Sequence, residues 1–146
     1  MPITQTIEIA RSPEDVFAYL DQLDRHGEWQ SHIISSKLET EGPTRVGSKA
    51  TDKRKVPGGT QDVTYEITEH DPPRRTGFKG LNGPVRPVGT ITVEPVGEGR
   101  SRLTLELDLR GHGLIGQFVA ILARSQARKQ VPADQQRLKE RLESGA

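Results

Sequence analysis

Leu103, Leu105, Leu107 and Leu109 alternate with Thr104, Glu106 and Asp108. A strict period of two places every second side chain on one face, which predicts an antiparallel strand with one buried side. Ile3, Ile7 and Ile9 repeat the pattern near the start of the chain. Val63, Tyr65 and Ile67 do so against Thr64, Glu66 and Thr68, and Ile91 and Val93 share a face further on. Strands are therefore expected over 3–10, 34–40, 46–56, 61–70, 74–81, 87–95 and from 102 onward. Glu41-Gly42-Pro43, the VPGGT segment at 56–60, Asp71-Pro72-Pro73, Asn82-Gly83-Pro84 and the loop at 96–100 punctuate them. Connections this short join antiparallel neighbours.

Three segments carry helical spacing instead. Ser12 is a good N-cap, Pro13 fits the first helical position and Asp15 can close a capping box. Val16, Phe17, Leu20 and Leu23 then share one face. A short second helix is expected around 26–33, with Trp29 and Ile33 on the same side. The third is the long segment 114–143, the longest available cover for a sheet with one apolar face. In its first half, Leu114, Ile115, Phe118, Ile121 and Leu122 form a stripe expected to face the sheet. That stripe runs into the polar Ser125, Gln126 and Lys129, while Ala127, Val131, Leu138 and Leu142 lie on another side. Two accounts stay open: a kink or break at Pro132 that resets the face, or Ser125 and Lys129 facing a cavity as polar anchors.

Composition narrows the function classes. The 146 residues suggest one domain spanning 1–146, large enough for a core without staples. There is no cysteine, so disulfides, iron–sulfur clusters and cysteine catalysis are excluded. Lysine plus arginine (21) balance aspartate plus glutamate (20), which gives no general drive toward nucleic acid. No apolar run reaches the length of a membrane span and no signal peptide is visible, so the expected location is cytoplasmic.

The order strand, two helices, about six strands, long helix resembles the helix-grip fold of the SRPBCC or START-like superfamily. Its polyketide cyclase/dehydrase-like branch is the nearest likeness. The residues that carry it are the first strand followed by SPEDVFAYL, the single Trp29, the YEITEHDPPRR stretch, and EPVGEGRSRLTLELDL leading to a last helix that ends RLKERLES. The resemblance implies an α+β fold in which a curved antiparallel sheet of about seven strands grips the last helix around a cavity. It implies a small hydrophobic ligand and no cofactor, and it carries over no catalytic residue. An enzyme of the cyclase/aromatase or dehydratase type using the same cavity is the alternative.

The candidate chemistry is sparse. His26, His32, His70 and His112 show no metal-ligand spacing, so no metal site is expected. No GxSxG is present, and neither glycine-rich loop fits a phosphate or dinucleotide motif. Glu66, Glu106 and Asp108 fall opposite the apolar residues of their strands; Asp52 and Glu94 have no clear placement. The candidate ligand-binding residues are Trp29, His32, Tyr65, Phe78, Phe118, Leu122 and Ser125, with His32 or an inward carboxylate as the acid–base group of the enzyme alternative. A second copy of the chain is the other candidate partner, through a face formed by Leu138 and Leu142.

Overall fold

Seven strands follow one another in a single antiparallel sheet. The computed structural model describes residues 2–56 and 58–146; Pro57, in the expected VPGGT turn, lies outside them. The elements are β1 (Ile3–Ile9), α1 (Pro13–Leu20), a 3-10 helix (Leu23–Glu28), β2 (Ile33–Leu38), β3 (Lys49–Val56), β4 (Gly59–Asp71), β5 (Arg75–Gly80), β6 (Val85–Pro95), β7 (Ser101–Gly111) and α2 (Gly113–Glu143). The sheet order is β1-β7-β6-β5-β4-β3-β2, so each strand from β2 on pairs with its successor and β1 closes against β7. This is the helix-grip arrangement, with the long helix laid against β7, β1 and β6.

The local chemistry of α1 is as its sequence implies. Ser12 accepts a hydrogen bond from the Asp15 backbone N–H, and Pro13 opens the helix. Val16, Phe17, Tyr19 and Leu20 are buried and join Ile9, Trp29, Val93, Leu103, Leu138 and Leu142 in one core cluster. A second cluster gathers Leu23, Ala50, Tyr65 and Ile67, with Phe78 packed against it. Trp29 and Ile33 do not share a helix: the 3-10 helix ends at Glu28, and Ile33 begins β2.

The long helix differs most from expectation. It runs unbroken through Pro132, and its first-half apolar stripe faces away from the sheet. Leu114 is 92% exposed, and Ile115, Phe118, Ile121 and Leu122 are exposed as well. The inward residues of that half are Gly116 and Ala120. Close approach explains the choice. A Cβ built on Gly111 would lie 2.4 Å from the Gly116 carbonyl oxygen, and one on Gly116 would lie 2.6 Å from the Pro84 carbonyl oxygen. Only glycine fits both sides of that contact, so large side chains are driven to the outer face. Beyond Pro132 the logic reverses: Leu138 and Leu142 are fully buried and are not an exposed interaction face. Packing on both sides of the proline, by Val131 and by Leu138, holds the helix together through a residue that removes one backbone donor.

Chemical denaturation tests this inside-out reading. Leu138→Ala is expected to cost roughly 2–5 kcal/mol, as for a large-to-small change in a packed core. Phe118→Ser and Leu122→Ser are expected to stay within about 0.5 kcal/mol, as exposed substitutions do.

Candidate functional site

Between the sheet and the middle of α2 lies a cavity of about 350 Å³. Its apolar wall comes from the inward faces of β6 and β7 with Val85, Pro87, Ile91, Leu105, Leu107 and Leu109, and from Ala123 and Ala127 of α2. The alternation that makes β7 a strand also aims its leucines here. The opposite wall is polar. On β3 the inward positions are Ala50, Asp52, Arg54 and Val56, of which the last three line the cavity. Tyr65, on β4, pairs in register with Ala50, and Asp52 pairs with Val63. Tyr65 and Asp52 are thus diagonal neighbours on one face of adjacent strands.

The 3-10 helix supplies the rest of that wall. The His26 ring packs edge-on against Trp29 at 5.4 Å, and its Nε2–H donates to the Leu20 carbonyl at 2.7 Å. Burial holds His26 below the usual imidazole range, although the Leu20 hydrogen bond and Asp52 oppose it, so the ring is neutral. Asp52 accepts from the Ser36 hydroxyl at 2.8 Å. Burial pushes its carboxyl above the ordinary carboxylate value, against the pull of that hydrogen bond, Arg54 and His26. Burial likewise raises the Tyr65 phenol, and the Asp52 charge adds to the effect. Arg54 donates to the Gln30 side chain.

Near the 30–32 segment, side chains tie α2 across the cavity. Gln126 approaches the His32 Nε2 at 3.4 Å, Gln130 donates to the Ser31 hydroxyl, and the Ser31 backbone N–H donates to Asp134 at 3.3 Å. Outside this wall, Glu28 gathers Arg25, Tyr19 and Arg141. The Arg25 and Tyr19 hydrogen bonds hold its carboxyl down at about 2. Among the described residues no group of three His, Asp or Glu is placed to hold a metal ion. No helix among them is long and apolar enough to cross a membrane.

A family profile described as polyketide cyclase/dehydrase and lipid transport matches residues 2–143. The chain belongs to this family. A protein of Mycobacterium tuberculosis named only as uncharacterized is 29% identical over 121 residues, covering 81% of this chain and 82% of that protein. Three solved structures are similar in fold. One, from Thermus thermophilus, has a TM-score of 0.81 at 19% identity and covers all of both chains. The ZhuI aromatase/cyclase from a Streptomyces species gives 0.79 at 15% identity, covering 97% of this chain and 92% of its own. A START superfamily protein from Mycobacterium smegmatis gives 0.76 at 14% identity, covering 97% of this chain and 98% of its own. Membership of the polyketide cyclase/dehydrase and lipid transport family therefore agrees with the helix-grip fold.

Within this family member, Trp29, His32, Tyr65 and Phe78 stand on the cavity wall. Phe118, Leu122 and Ser125 do not: all three are exposed on the outer side of α2, because Gly116 and Ala120 take the inner side. Lys129 is exposed too, so the interrupted stripe does not mark the cavity. The inner polar positions of α2 are Gln126, Gln130, Asp134 and Gln135. His70, at the end of the strand expected over 61–70, sits on β4 and bonds through Nε2 to Asp21 at 2.8 Å. Sequence reasoning passed over His26, Arg54 and Gln135 and left Asp52 unplaced. The alternation of Ala50, Asp52, Arg54 and Val56 was the available signal for the β3 pair.

The neutral His26 ties stability to pH. Below about 6.5 the unfolded chain gains a proton that the folded ring resists, so stability falls as pH drops from 7 to 5, by at most about 1.4 kcal/mol per pH unit. Asp52, shifted upward, acts in the opposite direction at lower pH. The expected result is a shallower loss of stability in His26→Gln than in wild type across that range, measured by denaturation at each pH. Parallel curves would assign the wild-type dependence to other groups.

Proposed function

We propose that this chain binds a small, largely apolar molecule in the cavity between the sheet and α2. One observation carries the reading: a concave space of about 350 Å³ whose lining is largely aliphatic and aromatic, with polar groups contributed by β3, the 3-10 helix and α2. Ligand sites have this size and balance. Burial of apolar surface would supply most of the affinity, about 25 cal/mol per Å² before ordering costs. The family description, which names lipid transport beside cyclase/dehydrase activity, supports the same reading. Native mass spectrometry of the purified protein is expected to show an added mass that disappears in Ala127→Trp, whose side chain fills the space. Identical spectra with no added mass, together with no change in binding of an apolar fluorescent probe, would remove the reading. The same spectra give the subunit number. Self-association would rest on the outward stripe at 114–122, and a one-chain mass at working concentration excludes it.

A second reading is favoured by Asp52, a buried carboxyl on the cavity wall with its ionisation pushed upward. Ring closure or water loss of the cyclase or dehydratase kind needs one group that takes and returns a proton beside a carbonyl. The neutral His26 and the Tyr65 hydroxyl line the same wall. Deuterium exchange at the α-carbon of acetophenone in D₂O, followed by NMR, tests Asp52 as that base. Wild type is expected to accelerate exchange, and Asp52→Asn to lose about 10²-fold of it. Equal rates in the two proteins leave binding as the function.

A further inference from the structure

The binding reading leaves the chemistry of the molecule open, and the polar side of the cavity narrows it. Trp29 Nε1, Tyr65 Oη and Gln135 Oε1 have no hydrogen-bond partner among the described residues. Trp29 and Tyr65 are 8% exposed and Gln135 is 3% exposed, and all three residues line the cavity. Buried polar atoms are almost always paired, so three orphans lining one cavity call for a partner from outside the chain.

Their hydrogen-bonding roles differ. The indole N–H of Trp29 can only donate. The Gln135 amide nitrogen already donates to the Gln5 carbonyl at 3.0 Å, which fixes its oxygen as the free atom, and that oxygen can only accept. The Tyr65 hydroxyl can do either. Asp52, diagonal to Tyr65, adds an acceptor wall. The occupant must therefore offer both a donor and an acceptor. A ketone, ether or ester offers acceptors alone and leaves Gln135 unsatisfied. A carboxylate does the same and brings a negative charge to a lining that contains Asp21, Asp52 and Asp134, with Arg54 as the one lysine or arginine among its described residues. A hydroxyl group donates once and accepts through two lone pairs.

We propose that the cavity takes a neutral molecule with an apolar, ring-sized body and a hydroxyl group, an alcohol or a phenol, turned toward Trp29, Tyr65 and Gln135. This rests on the cavity-binding reading and adds the class of ligand to it. The apolar body lies against Leu105, Leu107, Leu109 and Ala127.

An isosteric series separates the two levels. 2-Naphthol, 2-methylnaphthalene and 2-naphthoate share one body and differ in the group at one position. Burial alone favours the methyl compound, which gains more from leaving water. Hydroxyl recognition reverses that order. Binding is read by titration calorimetry or probe fluorescence on wild type, Trp29→Phe, Tyr65→Phe and Gln135→Met, each confirmed folded by its thermal melt. In wild type, 2-naphthol is expected to bind about tenfold or more tightly than 2-methylnaphthalene, and 2-naphthoate more weakly than either. Each substitution is expected to shrink the naphthol advantage while leaving the methyl compound's affinity unchanged or improved. Equal binding of naphthol and methylnaphthalene overturns the hydroxyl inference and leaves cavity binding intact, with water satisfying the orphaned atoms. Tighter binding of naphthoate overturns neutrality and shifts recognition to Arg54. If none of the three binds, the hydroxyl inference fails; cavity binding fails with it only when the purified protein also carries no added mass.

Discussion

The structure depends on how α2 is held at its two ends. At its start, Gly111, Gly116 and Pro84 bring helix and sheet backbones almost into contact, and the His112 N–H donates to the Pro84 carbonyl at 2.8 Å. Gly113, at φ +76°, turns the chain from strand into helix there, a conformation that glycine reaches without strain. At the far end Leu138 and Leu142 are locked in the core, and the Glu143 carboxylate accepts from the Ala10 backbone N–H at 2.8 Å. Between these anchors the inner face offers Ala123, Gln126, Ala127 and Gln130, none bulky and apolar enough to fill the space beneath. A long helix pinned at both ends over a sheet, with small or polar residues in between, leaves a cavity. The space follows from the anchoring and does not reflect a poorly packed core, since the cluster around Ile9, Leu103 and Leu138 is fully buried.

Most of the architecture was legible because strands β1, β4, β6 and β7 have one side packed and one side more open, and period-two alternation reports that directly. The order of elements then pointed to the helix grip. The orientation of α2 was not legible from hydrophobicity. A hydrophobic stripe indicates the buried side only when the helix sits at an ordinary distance from its neighbour. Here the approach at Gly111 and Gly116 is too close for large side chains, so steric exclusion overrides the apolar preference. The informative pattern was Gly116, Ala120, Ala123 and Ala127, small residues at helical spacing, rather than Leu114, Phe118 and Leu122. Large apolar residues lie outward from Leu114 to Leu122 and inward from Val131 on. That change of side resembles a kink in the sequence, but it records a change in packing distance along one continuous helix.

The site was half legible for a related reason. Trp29, Tyr65 and Phe78 were legible as large rings that a sheet's inner face absorbs, whereas Phe118, named with them, is turned outward by α2. Charged residues on an inward strand position are harder to read, since alternation alone assigns charge to the solvent side. Asp52 and Arg54 break that rule on β3, and such breaks are expected where a protein places function against stability. Without a structure, nothing in the sequence shows that Ser36 reaches Asp52 or that Gln5 fixes the amide of Gln135.

The polar wall also constrains how occupancy and ionisation act on each other. Asp52 is disfavoured as an anion because water is largely withdrawn from it, and the nearby Arg54 hydrogen-bonds to Gln30 instead. An apolar body entering the cavity removes more water from the same wall and penalises the charged form further. Binding and protonation of Asp52 are then linked, and linkage is reciprocal: a ligand that raises the carboxyl's proton affinity must itself bind more tightly where the carboxyl is protonated. At His26 the same loss of water favours the neutral ring, so there occupancy opposes protonation. Filling the cavity thus pushes the acid toward its protonated form and the base toward its free form. The first removes charge from the wall and the second keeps the already neutral His26 from gaining any, and a wall of that kind suits a neutral molecule better than an anion.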